Sequence, residues 1–426
     1  MEAMKQFVKI LLAIAVVTGG SVEAFGQSFG IELQNTVMPA SGGMGGASIA
    51  RPQDLTSAIN ANPASLTQFQ GTQFLFGGGW VEPTITMDQQ GNIPAMGTPL
   101  VSPFQGKSTA PGTPLGNIGV TQDFRELGMP VTLGIGFVTT AGGFVDYRNI
   151  PESNGTNSEM TIFNLPIMLG VDVTDKLSVG AGMSLGIAFF DAPFVGAGGM
   201  TTDYALRGTL GANYDLNACN TLGLYYQTEQ SFQFDNGLLI NPGPGQTAYD
   251  VRMDLPQNVG FGFANTALMG GDLLLAVDVT YKMWDEAAMF DAMYNNQWVV
   301  QIGGQYSLGK YRLRAGYTWA ENPIDNSPGG TVGGVPLADL RSVRYTQGLL
   351  AVTSQHRISG GIGIVDVLPG VDFDLMAGGM LKDSEQLGDF TTTSIQSYWL
   401  AAGITWRFGR GACCQRIPAP DSWSSF

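Results

Sequence analysis

The chain is poor in the residues that most active-site chemistry uses. Of its 426 residues one is histidine, His356, and three are cysteine, Cys219, Cys413 and Cys414. A His/Cys metal centre is not expected from so few ligands, and no cofactor is expected. One isolated cysteine and one adjacent pair do not make a disulfide framework. Positive charge is scarce as well: 20 Lys and Arg stand against 35 Asp and Glu, a formal net charge of −15. Nucleic acid is therefore not an expected partner. Charged residues make up only 13% and aromatics 10%, which does not fit a disordered chain. Nor is there a run of about 18 apolar residues after the N-terminus, so no transmembrane helix is expected.

What the chain has is glycine, 60 residues of it, and a marked two-residue period. From Leu177 to Phe189 the odd positions are mostly bulky and apolar (Leu177, Val179, Met183, Leu185, Ile187, Phe189). The even positions are small or polar (Ser178, Gly180, Gly182, Ser184, Gly186, Ala188). A helix does not sort residues this way, whereas a strand does. The same alternation returns at Val131–Phe137, Val277–Val279, Tyr311–Trp319, Val371–Leu375 and Leu400–Phe408. Connections alternate in length. Short turns are expected at Asp123–Pro130, Val173–Lys176, Leu216–Asn220, Leu308–Lys310 and Leu368–Gly370. Longer connections are expected at Asp88–Thr113, Phe144–Ser158, Phe234–Asp250, Lys282–Gln297, Glu321–Val352 and Lys382–Thr393. That rhythm describes an all-β, transmembrane antiparallel β-barrel of about 14 strands, with tight turns on one side and longer loops on the other. Aromatic residues near strand ends (Tyr204, Tyr214, Tyr281, Trp298, Trp319, Tyr398, Trp406) fit interfacial girdles.

Four regions follow. Residues 1–26 read as a signal peptide: Lys5 and Lys9 border an apolar run, Ile10 to Val17, and small residues place cleavage after Ala24 or Gly26. Residues 27–70 lack alternation. In them Asp54 can cap a short helix, and Asn62-Pro63-Ala64 is either a surface turn or the start of another helix, since Asn suits an N-cap and Pro the first turn. Residues 71–408 form the barrel, and residues 409–426 a periplasmic tail. The expected localisation is the cell outer membrane, with outer-membrane lipid and the outer-membrane assembly machinery as partners. The aromatic-rich last strand, ending at Phe408, suits recognition by that machinery.

Other motifs weigh less. Gly182-Met183-Ser184-Leu185-Gly186 matches G-x-S-x-G, but a nucleophile elbow needs a strand-to-helix turn and a histidine partner. Here the serine lies within an alternating strand, and no enzymatic role is expected. Arg312 and Arg314 could line a lumen and attract anions, or balance Asp372 and Asp374 in a solvated interior.

The stretches "GGASIARPQDLTSAINANPASL" and "FGGGWVEPTITM", followed in order by "GIGFVTTAGGFVDY", "KLSVGAGMSLG", "DLPQNVGFGFAN" and "AVDVTYKMWDE", resemble FadL-type outer-membrane transporters of long-chain fatty acids and other hydrophobic compounds. The resemblance implies a fourteen-stranded barrel with an N-terminal plug, or hatch, in the lumen. It places Asn62, Pro63 and Ala64 in that plug, and a kink in the barrel wall at Ala141, Gly142 and Gly143. It also implies passive transport of a hydrophobic small molecule or fatty acid with sideways release into the membrane. "FFDAPFVG" offers no basic residue for a ligand carboxylate, so a neutral hydrophobic ligand is equally open. A general diffusion porin for small hydrophilic solutes is the alternative.

Overall fold

The computed structural model describes residues 30–95, 98–191, 200–240, 247–337, 339–350 and 352–408. The expected signal peptide 1–26, the tail 409–426 with Cys413 and Cys414, and most of the connection after Asp191 lie outside the described residues.

The two-residue period becomes a closed ring. Its strands are β1 Thr72–Gln89, β2 Thr113–Asp123, β3 Val131–Asp146, β4 Asn157–Asp172, β5 Leu177–Asp191, β6 Thr201–Asn217 and β7 Asn220–Gln227. They continue as β8 Gln257–Leu268, β9 Leu273–Met283, β10 Gln297–Leu308, β11 Tyr311–Ala320, β12 His356–Leu368, β13 Val371–Leu387 and β14 Thr391–Phe408. Each pairs antiparallel with its neighbours in sequence, and β1 closes on β14 from Thr72↔Phe408 to Gln89↔Thr391. Closure leaves no sheet edge for lipid to satisfy. A four-residue strand, Phe104–Lys107, hangs on the far end of β1.

The alternation is inverted relative to a soluble protein. On β4, Leu165, Ile167 and Leu169 point out and are exposed, while Asn164, Met168 and Gly170 point in and are buried. Leu206 and Leu210 on β6 and Ile302 on β10 are likewise about half exposed. An outward apolar band around a polar inner face is the surface of a transmembrane barrel. Aromatic pairs sit at both rims: Tyr281 and Trp298 face each other across β9 and β10 with ring centroids 4.6 Å apart, and Phe74 meets Trp406 at 5.8 Å on the opposite rim.

One connection is shorter than the sequence reading has it, and two of the long connections carry secondary structure of their own. Lys382–Thr393 is not a long loop; β13 runs to Leu387 and β14 begins at Thr391, so only Gly388, Asp389 and Phe390 turn. The charged and polar residues there alternate like the strand they belong to, beyond the apolar band. Phe234–Asp250 lies largely in a hairpin, Gln230–Ile240 paired with Thr247–Leu255, that packs on β5 and β6. Glu321–Val352 contains a helix, α2, Leu340–Leu350. The shorter helix α1, Leu55–Asn60, lies in the N-terminal segment.

Residues 30–69 are packed within the ring. The turn Ser41–Met44 touches β10, β11, β12 and β13, α1 touches β1 to β4, and the turn Pro63–Gln68 touches β3 to β6. Glycine explains how the backbones fit. Gly77, Gly119, Gly134, Gly170, Gly180, Gly211, Gly223, Gly262, Gly303, Gly316, Gly361 and Gly403, each on a different wall strand, meet the segment where a Cβ would crowd or overlap it. Much of the glycine surplus is thus an inner girdle shaped to this segment.

The interior has two tiers. Around the segment the contacts are largely polar. Asp54 caps α1 through Ser57 N–H at 2.8 Å, and its other oxygen accepts from Ala40 and Ser41 N–H. Towards the long-loop side one apolar cluster joins Ile31, Leu33 and Val37 to Phe104, Tyr147, Phe190, Phe232, Phe234, Trp284, Phe290, Tyr294 and Tyr345. Many of these come from connections folded inward over the lumen.

Candidate functional site

Asn62-Pro63-Ala64 opens a 3-10 turn, Pro63–Gln68, rather than an α-helix. Asn62 is extended and fully buried. Its Oδ1 accepts from Ala64 N–H at 3.1 Å, and its Nδ2 donates to the Ile49 carbonyl at 2.9 Å and to Asn213 Oδ1 on β6 at 2.8 Å. Asn213 in turn donates to Ser65 Oγ at 2.8 Å. Pro63 and Ala64 lie against Gly180 and Gly211. The motif therefore ties the N-terminal segment to the wall with every amide group used.

Asp278 on β9 makes a second tie. Its Oδ2 accepts from Ser48 N–H at 2.5 Å and Ile49 N–H at 2.9 Å. Gln301 and Thr318 make a third, donating to the Gly45 carbonyl at 2.6 and 2.9 Å.

Glu32, Arg207 and Lys282 form a charge cluster that the sequence reading missed. Glu32 accepts from Arg207 Nη1 at 2.7 Å, from Asn258 Nδ2 at 3.1 Å and from Lys282 Nζ. All four residues are almost wholly buried. Arg207 also donates to the Thr228 and Pro256 carbonyls. The available signal was charge at inward positions of alternating strands. Lys282 escaped because the strand containing it extends into an expected loop.

Ala141, Gly142 and Gly143 lie inside β3, which continues to Asp146. Pairing between β2 and β3 stops at Asn117↔Val138, although β2 continues back to Thr113 in contact with β1. A register shift falls between Thr139 and Ala141 on the β4 side. The edge of β3 left by β2 is taken by the N-terminal segment. Leu33 N–H donates to the Thr140 carbonyl at 2.7 Å, Gly142 N–H donates to the Ile31 carbonyl at 3.0 Å, and Glu32 lies opposite Ala141. The interrupted seam is bounded below by Gly116 N–H donating to Thr139 Oγ1 at 3.0 Å. Above, Thr109 N–H donates to the Asp146 carbonyl at 2.8 Å.

The apolar tier contains two phenols, Tyr147 and Tyr294, whose buried hydroxyls have no hydrogen-bond partner among the described residues. Burial pushes both well above the usual phenol range, with Tyr345 adding to the effect on Tyr147, so both remain protonated donors.

Other sequence candidates separate. Ser184 points inward from the middle of β5, and His356 begins β12 across the ring, with Nδ1 2.7 Å from Tyr317 OH. Arg314 pairs with Asp374 at 2.5 Å, which is the charge-balancing arrangement for that residue, and Asp372 pairs with Arg407 at 2.9 Å. Among the described residues no group of three or more His, Cys, Asp or Glu is placed to hold a metal. On the short-turn side a polar cleft of about 460 Å³ opens beneath the segment, lined in part by Arg51, Arg125, Asp172 and Asp175.

No protein-family model and no curated protein matches this sequence. Solved structures do match. The P. putida toluene transporter TodX aligns with a TM-score of 0.63 and 16% identity, over 88% of this chain and all of that one. A Pseudomonas aeruginosa FadL homologue aligns at 0.66 and 14%, over 91% and all of that chain. The Ralstonia pickettii toluene transporter TbuX aligns at 0.61 and 14%, over 88% and all of that chain. The chain has the fold of these transporters. The shared fold spans their whole length, and at this identity it defines architecture alone.

Proposed function

We propose that this chain is a passive outer-membrane transporter of hydrophobic compounds in which residues 30–69 act as the plug. The observation that carries the reading is the apolar tier. A diffusion porin for hydrophilic solutes needs a wetted lumen, whereas here the long-loop half of the interior is one buried aromatic and aliphatic cluster reaching the tip of the plug at Ile31, Leu33 and Val37. Apolar solute leaving water for such surroundings gains about 25 cal/mol per Å² buried. The similar fold of toluene transporters supports the same solute class. Glu32, Arg207 and Lys282, next to the tip of the plug, are held by one another, so this cluster offers a carboxylate ligand no spare cation, which supports a neutral compound.

Release runs sideways through the β2–β3 seam. Where the wall lacks ladder bonds solute can leave without breaking sheet pairing, and at this seam the Ile31–Leu33 strip occupies the interruption from inside. Glu32 and Ala141 form a non-hydrogen-bonded antiparallel pair, the close type suited to a disulfide. In a background with Cys219, Cys413 and Cys414 replaced by Ser, oxidised E32C/A141C is expected to lose uptake of a probe such as ethylbenzene. Reduction should restore it to the level of E32C alone. Equal uptake in both redox states would reject release past this strip. Proteoliposomes that swell in small sugars, together with cells whose ethylbenzene uptake is unchanged by loss of this chain, would favour the porin.

A further inference from the structure

The phenol of Tyr147 stands out among the buried groups because its surroundings offer no use for a donor. The residue is fully buried directly beyond the end of β3. Its backbone is held on both sides: its N–H donates to the Thr156 carbonyl at 2.9 Å, and its carbonyl accepts from Ile150 N–H at 2.9 Å and Ser153 Oγ at 2.8 Å. The ring packs on Phe104, centroids 5.5 Å apart at 55°, and Phe104 meets Tyr345 of α2 edge-on at 6.4 Å. Tyr345 spends its own hydroxyl proton on Thr156 Oγ1 at 2.9 Å. The Tyr147 hydroxyl is left as a buried donor without an acceptor. Such a group destabilises the fold unless something else satisfies it.

Position supplies the second argument. Ala141, Gly143, Val145 and Tyr147 alternate along one face, and Ala141 and Val145 are buried on the same apolar cluster as Tyr147. The line starts where Ile31–Leu33 pairs with β3 and ends at the phenol, roughly 20 Å away at strand rise. The phenol therefore lies at the long-loop end of the strand face that leads to the interrupted seam.

We propose that Tyr147, framed by Phe104 and Tyr345, is a recognition subsite for flat apolar ligands that carry one hydrogen-bond acceptor, such as an ether, ketone or ester oxygen. The proposal rests on the transport reading above and adds a solute preference to it. Faces of Phe104 and Tyr345 bind the apolar body, and the Tyr147 hydroxyl donates to the single acceptor. A pure hydrocarbon still binds, but leaves the hydroxyl unpaired.

The test uses two probes of equal shape, 2-methoxynaphthalene and 2-ethylnaphthalene, titrated into the purified full chain. Wild-type protein is expected to favour the methoxy probe by roughly three- to tenfold, the worth of one hydrogen bond. Y147F removes no existing hydrogen bond, so it should fold normally. It should bind the ethyl probe as wild type does and lose the preference, while Y294F should retain it. Absence of a preference in wild type, its survival in Y147F, or its equal loss in Y294F would each overturn the subsite while leaving hydrophobic binding in place. Failure of wild type to bind either probe would overturn both the subsite and the transport reading.

Discussion

Glu32 sits opposite Ala141 across a single antiparallel bridge and sends its carboxylate to Arg207 and Lys282 on two further strands. One residue of the N-terminal segment therefore contacts both the edge of the interrupted seam and a buried ion cluster beside the apolar tier.

Removing that carboxylate leaves two like charges buried together. E32A is expected to cost about 3–5 kcal/mol locally. Hydrogen exchange should then rise sharply at residues 30–40 while the barrel strands stay protected. Adding K282M to E32A should recover part of the loss, because one uncompensated charge is gone. Unchanged exchange in E32A would show that the cluster does not hold the segment.

Asn62 and Asn213 share one hydrogen-bond network with Ser65 and Ile49. N62A is expected to loosen residues 62–69 by about 1–2 kcal/mol, the scale of a lost cap with its side-chain bonds. N213A should do less, and the double variant should cost less than the sum, because both remove the same contact. Exchange rates of the Ala64 and Ser65 amides report all three.

Gly211 approaches Asn62 Oδ1 so closely that a Cβ would overlap it, with Pro63 and Ala64 as further neighbours. G211A should displace the 62–64 turn and cost about 1–3 kcal/mol. The outcome is read as selective proteolysis within residues 60–70 of an otherwise heat-modifiable barrel. Full protease resistance would show that the wall yields instead.

Ile167 and Leu206 point outward at mid-strand, each more than half exposed. I167R or L206R should destabilise the barrel by about 2–4 kcal/mol in lipid. The same substitution at exposed Leu127, in the β2–β3 turn, should be close to neutral. Equilibrium unfolding in vesicles distinguishes them.

The wall was legible in the sequence because its cause is local. A two-residue period with apolar residues on one face fixes strand, face and membrane, and the turn at Val173–Lys176 falls where the alternation pauses. The connection Lys382–Thr393 was misjudged because the cue used was polarity. Lys382–Glu385 is polar because β13 extends beyond the apolar band, not because it is a loop. Position inside the ring was not legible from composition: residues 30–69 contain as much Gly, Ser and Asn as a surface loop. Their complement lies in single glycines spread over twelve strands, a pattern that only register brings together. Glu32, Arg207 and Lys282 are far apart in sequence, and each alone looks like an ordinary charge. The β2–β3 interruption likewise depends on where two strands cease to face each other. Neither sequence shows that alone, although Gly142-Gly143 marks the vicinity.

The pairing of β1 with β14 also constrains how the molecule can be made. The strand that follows the N-terminal segment bonds to the final strand along its whole length, from Thr72↔Phe408 to Gln89↔Thr391. These are among the most distant contacts in the chain, and contacts of that kind form late because their loop entropy is the largest. Until they form, the sheet is an open, curling surface with the segment lying on its concave side. The glycine-to-backbone contacts then have to be set strand by strand as the surface rolls up. The segment meets glycines on twelve wall strands, so the ring that closure completes is already filled by it. Zipping of the last strand is thus the step that encloses it, and a chain that closes empty would be a kinetically trapped product rather than a precursor.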